Sequence, residues 1–263
     1  MLKTKIGSAI LMIALIGALG GCLPQQMADG ETRVVASEQH NMSKLAWTDN
    51  FMADSCTFVT TGSNPYFVLQ PGFQLILEGK EKKDNIHLEI TVLNETKKVN
   101  GIETRVVEER ESKNGKLFEI SRNYFAICQQ TNSVFYLGED VDFYDEMGNI
   151  SGHEGSWLHG TTGARFGIVM PGTILLGSRY FQEIAPGVAL DRAEHLSLSQ
   201  TLQTPAGKFE NILVVEETTP LNRRDKSYKF YAPGVGLVRT SGSVKTSGAP
   251  GFLELIHYGF IAP

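Results

Sequence analysis

The sequence predicts an all-β protein, a large curved antiparallel sheet of about ten strands closed into a half-barrel or barrel. Three observations carry this. Glycine makes up 27 of 263 residues, about a tenth against a usual ~7%, as suits a chain with many turns. Asn100-Gly101 and Asn114-Gly115 each sit between β-prone runs, and Asn-Gly is the strongest short hairpin signal because a type I′ turn needs positive φ at both central residues. No segment after residue 60 keeps a 3.6-residue apolar period, so one or two short helices are the most it holds.

The runs follow in order. Gln74–Glu78 is a first strand, closed by Gly79 and the charged turn Lys80–Asn85; Ile86–Leu93, Thr104–Glu109 and Leu117–Ile127 follow between the Asn-Gly turns. Asp140–Tyr144 and Ile150–Glu154 are expected to pair around Met147-Gly148-Asn149. The chain then repeats itself. Val106-Val107-Glu108-Glu109 matches Val214-Val215-Glu216-Glu217 at an offset of 108, the same offset that relates His87-Leu88 to His195-Leu196. Tyr124-Phe125-Ala126 echoes Phe230-Tyr231-Ala232, and Pro-Gly opens each half at 71–72 and 171–172. Ordered matches at nearly one spacing point to two duplicated meanders, about 66–139 and 170–240, with a hairpin insert at 140–169. A flat sheet of ten strands accumulates twist and curls, so one single β domain over 61–263 is expected.

The N-terminus reads as an address. Lys3 and Lys5 precede the apolar run Ile6–Leu19, which is too short to span a bilayer and suits a secretory signal peptide. Leu19-Gly20-Gly21-Cys22 follows, and this resembles the lipobox of bacterial lipoproteins. The resemblance implies cleavage after residue 21 and acylation of Cys22, with palmitate among the chains, and Leu23 in place of Asp implies sorting to the outer membrane of a Gram-negative cell. Buried acyl methylenes at ~0.8 kcal/mol each would hold the protein to the membrane. Residues 22–60 are polar and small, as in a lipidated N-terminus and flexible tether.

Charge narrows the partners. Lys and Arg number 24 against 29 Asp and Glu, and loss of residues 1–21 takes the net charge from −5 to −7. Nucleic-acid binding needs clustered cations, so no nucleic-acid partner is expected. Cys56 and Cys128 would stand in an oxidising compartment. A bond between them would close a loop of more than 70 residues, worth roughly 4 kcal/mol on the chain-entropy model; buried free thiols are the alternative.

Common catalytic signatures are absent: there is no Gly-x-Ser-x-Gly elbow, phosphate loop, Cys-x-x-Cys or dinucleotide fingerprint. The densest polar segment is Glu139–Arg165. Asp140 and Asp142 share a strand face by two-residue alternation, with His153 and Glu154 on the partner strand. Such oxygen ligands suit Ca²⁺, but the spacing is not that of a known calcium loop. His153 and His159 are six apart with Gly155 between them, which does not fit a helical zinc motif. A solvated acidic hairpin guarding an edge strand is the preferred reading. Asp191, Arg192, Glu194 and His195 form a second cluster, read as an ion-paired strand end rather than an acid–base pair.

Asn64-Pro65-Tyr66-Phe67, Thr104–Glu109, Gly138–Asp142, Tyr180–Glu194, Thr204–Phe209 and Tyr231–Gly236 resemble a family of bacterial envelope proteins without an assigned activity. More distantly, the strand order resembles the half-barrels of periplasmic lipoprotein carriers. Neither resemblance transfers a functional residue. The expected function is therefore a membrane-anchored, non-enzymatic envelope lipoprotein that binds an apolar, lipid-like ligand or an envelope protein partner, with no cofactor. The alternative is a metal-assisted hydrolase using residues 139–165.

Overall fold

Residues 46–242 and 252–261 are described by a computed structural model of the chain. Cys22 and the signal segment lie outside the described residues. The two Asn-Gly turns form as their chemistry dictates: φ is 45° and 89° at Asn100 and Gly101, and 52° and 79° at Asn114 and Gly115. They join three long strands, β5 (Asp84–Val99), β6 (Ile102–Lys113) and β7 (Lys116–Cys128). Before these come β1 (Phe58–Val59), β2 (Gly62–Asn64), β3 (Phe67–Leu69) and β4 (Phe73–Glu81). After them come β8 (Val134–Tyr144), β9 (Ile150–Gly152), β10 (Trp157–Leu158), β11 (Arg165–Met170), β12 (Arg179–Phe181) and β13 (Glu183–Ile184). The second half holds β14 (Arg192–Thr204), β15 (Gly207–Thr219), β16 (Asn222–Ala232), β17 (Gly236–Ser241) and β18 (Phe252–Phe260). A single 3₁₀ turn, Ala53–Ser55, is the helical content among the described residues.

The main sheet runs β12-β14-β15-β16-β17-β18-β4-β5-β6-β7-β8-β11-β13. Thirteen strands rather than about ten complete this nearly closed, barrel-like sheet. The surplus consists of short pieces such as β12 and β13, whose two or three residues are too few to show an alternation in sequence. The two ends of the sheet are consecutive segments of chain, with only Gln182 between them. Phe181 pairs with Arg192 of β14 while Glu183 pairs with Phe166 of β11. One extended segment thus changes partners at Gln182 and draws the two edges together. The approach is close: a Cβ on Gly167 of β11 would meet the backbone of Phe181 and Gln182 at 2.4 Å.

The first described residues, from Trp47 to Phe58, pack on the outside of this barrel. Thr48 bridges Tyr180 beside the seam, and the Trp47 ring lies 4.4 Å from the Arg192 guanidinium. β1 pairs with the end of β7, and a disulfide joins Cys56 to Cys128. Phe51 and Phe58 cover an outer apolar cluster that includes Tyr124, Phe135 and Leu137. The folded body therefore begins by Trp47 rather than at residue 61, because the apolar residues of 47–60 have a surface to bury. Arg105 fixes this strap. A bulge in β5 opposes Leu93, Asn94 and Glu95 to a single residue of β6, and the guanidinium donates to the carbonyls of Leu93, Glu95 and Thr60 at 3.0–3.3 Å. Carbonyls released from the ladder thereby keep a donor.

Candidate functional site

Asp140 and Asp142 do share a face of β8, and that face is the outer one. Asp140 accepts from Lys97 at 2.7 Å and from the Tyr124 hydroxyl at 2.5 Å. Burial works against its charge, but Lys97 and Tyr124 together hold the Asp140 carboxyl below its usual range. Asp142 meets Arg122 at 3.3 Å and His153 at 2.9 Å. Glu154 is exposed at the hairpin end. The chain's own cations occupy these carboxylates, and among the described residues no group of three or more His, Cys, Asp or Glu is placed to hold a metal ion. β9 pairs with β8 as a hairpin, Phe143 opposite Gly152. The edge-guarding reading is corrected, however, because β8 has β7 on one side and β9, β10 and β11 on the other. His159 instead lies against the Phe166 ring at 4.6 Å, and burial lowers its pKa.

The second cluster divides between outside and inside. Glu194 pairs with Arg179 at 2.7 Å, as expected of an ion-paired strand end. Asp191 and His195 do not: both are buried in the barrel. The Tyr180 hydroxyl and His195 Nε2 are 2.8 Å apart, and burial pushes the imidazole pKa down to about 4.

What the chain encloses is an acidic layer. Glu109, Glu111, Glu139, Glu183, Asp191 and Glu217 are all buried, and Lys229 is buried among them. Lys229 Nζ lies 2.7 Å from Glu217 Oε2, and Gln182 donates to the other oxygen of Glu217 at 2.9 Å. Glu183 accepts from the Asp191 backbone N–H at 2.9 Å. Burial, and then each other's charge or that of Glu217, raises the pKa of both Glu183 and Asp191. Glu139 is fully buried, and among the described residues neither of its oxygens has a hydrogen-bond partner within normal geometry. Burial, and then Glu119, drives its pKa well up. A carboxyl in such surroundings keeps its proton instead of its charge.

Above this layer the barrel is apolar and not filled. A cavity of about 50 Å³, open at one side, lies between Phe73 and Leu75 of β4, Ile90 and Val92 of β5, Val107 of β6, Phe125 of β7 and Tyr231 of β16. The β2–β3 hairpin forms its cover with Phe67 and Val68. That cover is tied to the rim: buried Asn64 donates to the carbonyls of Asn132 and Pro171, both at 2.9 Å, and the Gly234 N–H donates to Pro65 at 2.7 Å. Glu109 supplies the one carboxyl of the lining. Burial, partly offset by Lys229, moves its pKa up to about 7.

Fold and site together define a nearly closed all-β barrel with a buried acidic layer and an apolar cavity at one end. Comparison with family models and with curated proteins gives no match. Solved structures similar to the chain include one from Bacteroides fragilis, described as an exported protein with a YmcC-like fold, at 15% identity and a TM-score of 0.37. The likeness covers 78% of this chain and 100% of that one. Another is described as a lipoprotein from Parabacteroides distasonis, at 14% identity and the same TM-score, covering 78% and 99%.

Of these interior groups, Glu109 and Glu217 carried a signal in the sequence, as the last residues of the two Val-Val-Glu-Glu repeats. Both face inward beside Lys229. Glu183 and Lys229 had no pattern to mark them, since a charged residue on a strand is ordinarily a surface residue.

Proposed function

We propose that this chain is an envelope lipoprotein, held to the outer membrane by acyl chains on Cys22, whose barrel receives the apolar part of a small lipid-like ligand. The observation that supports it is the cavity beneath the β2–β3 hairpin, walled by aliphatic and aromatic side chains from β4 to β7 and from β16. Concave, mostly apolar pockets with few polar groups are how folds take small molecules. The reading is tested by native mass spectrometry and solvent extraction of the full protein purified from membranes. An extractable amphiphile, absent when Leu75→Trp fills the cavity, is the expected result. A protein that yields no small molecule, binds no alkyl probe and instead co-purifies with a stable envelope partner would overturn it.

A further inference from the structure

We infer that the cavity is built for an amphiphile whose polar end is a cationic hydrogen-bond donor, an ammonium group on an alkyl chain, received by Glu109. This inference rests on the cavity as a lipid-like ligand site and names the chemistry of its ligand.

Glu109 is nine-tenths buried, lines the cavity, and its carboxyl makes no hydrogen bond to any described residue. Lys229 offsets part of the cost of burying this carboxyl, and a hydrogen-bond partner is what normally meets the rest. The unfilled space beside it is where that partner would sit.

The surrounding charge selects its sign. On the same strand stands Glu111, on β7 Glu119, on β15 Glu217, and on β16 Lys229 with the Tyr231 hydroxyl above it. Lys229, the cation best placed to help an anion, is already held by Glu217 at 2.7 Å. An anionic headgroup would add a negative charge to this group of carboxyls. An ammonium would instead convert Glu109 into one half of a charge-assisted pair, the strong form of hydrogen bond in a dry site. The apolar walls then accept only a tail, which fixes the order of the ligand: charge innermost, chain toward the hairpin.

The test uses calorimetric titration of the full mature chain with dodecylamine, 1-dodecanol and dodecanoic acid, each below its micelle concentration. Dodecylamine is expected to bind at least about tenfold more tightly than dodecanoic acid. Glu109→Gln keeps the shape and removes the charge that burial penalises, so it should fold. It is expected to lose about tenfold or more in dodecylamine affinity while dodecanol binding stays within about threefold. Dodecanoic acid binding as tightly as the amine, or an amine affinity unchanged in Glu109→Gln, would overturn the ammonium assignment and leave the cavity reading standing. Failure of all three chains to bind would overturn both.

Discussion

Lys229 and Glu217 face each other inside the barrel at 2.7 Å, each side chain almost wholly removed from solvent. Strands β15 and β16 place them there, Val215 opposite Lys229 and Glu217 opposite Ser227. A buried pair of this kind gains little over an apolar pair but is costly to break, because the survivor keeps its charge without its partner. Lys229→Met is therefore expected to lower unfolding free energy by about 3–5 kcal/mol. The double variant with Glu217→Leu should recover most of that loss in urea titrations. A single variant as stable as the parent would remove the pair from any structural role.

The buried carboxyls impose a pH dependence. Burial moves both Glu109 and Glu111 up to about 7. In the unfolded chain each titrates near 4.5, so from there to about pH 7 the folded state binds more protons and stability falls as pH rises. A tenfold change in proton affinity is worth ~1.4 kcal/mol, so each group contributes up to about 3 kcal/mol. His195, depressed to about 4, works the other way: stability is lost as pH falls from about 6.5 toward 4. Carboxyls outnumber the histidine, so the midpoint of unfolding should peak near pH 5 and decline toward pH 8. Glu109→Gln should flatten that decline; a stability that rises from pH 5 to 8 would show that other groups govern it.

Closure of the barrel depends on a missing side chain. Gly167 passes the Phe181–Gln182 backbone so closely that a methyl group would meet it at 2.4 Å. Gly167→Ala is expected to cost about 1–3 kcal/mol as an overpacking change. Amide exchange should rise first at β11, β12 and β13, the strands of the seam. Exchange that rises uniformly, or does not change, would show that the seam carries no strain.

The anchor can be tested separately from the barrel. Cys22→Ala should abolish incorporation of labelled palmitate and detergent-phase partitioning, because acyl chains rather than protein surface would hold the chain to the bilayer. The barrel's circular dichroism and thermal midpoint should be unchanged. An alanine form still labelled and still membrane-bound after salt washing would remove the lipoprotein assignment and the localisation with it.

Short-range chemistry wrote much of this molecule into its sequence. Asn-Gly pairs placed the turns, alternation placed β4 to β7, and the repeated Val-Val-Glu-Glu placed two strands that take similar positions in two up-and-down meanders. Which face of a strand looks inward is another matter, because it depends on register, and a one-residue slip reverses it. His87 and His195 match in the repeat, yet His87 bonds Glu78 and Glu89 at the surface while His195 is buried against Tyr180. The pairing differs by an odd number of residues: Val107 stands opposite Val92, five residues beyond His87, whereas Val215 stands opposite His195 itself. β8 shows the same effect more sharply. Phe125 pairs with Tyr136 but Tyr124 pairs with Gly138, so one extra residue enters the strand. Gly138 can take that place, at φ 147° and close under the Trp157 carbonyl, where a Cβ would clash. Past it the alternation is reversed: Glu139 turns into the barrel and Asp140 and Asp142 turn out to meet Lys97 and Arg122. The sequence alone determined that carboxylates would gather on β8; the bulge, set by packing against β10, decided which of them reached water.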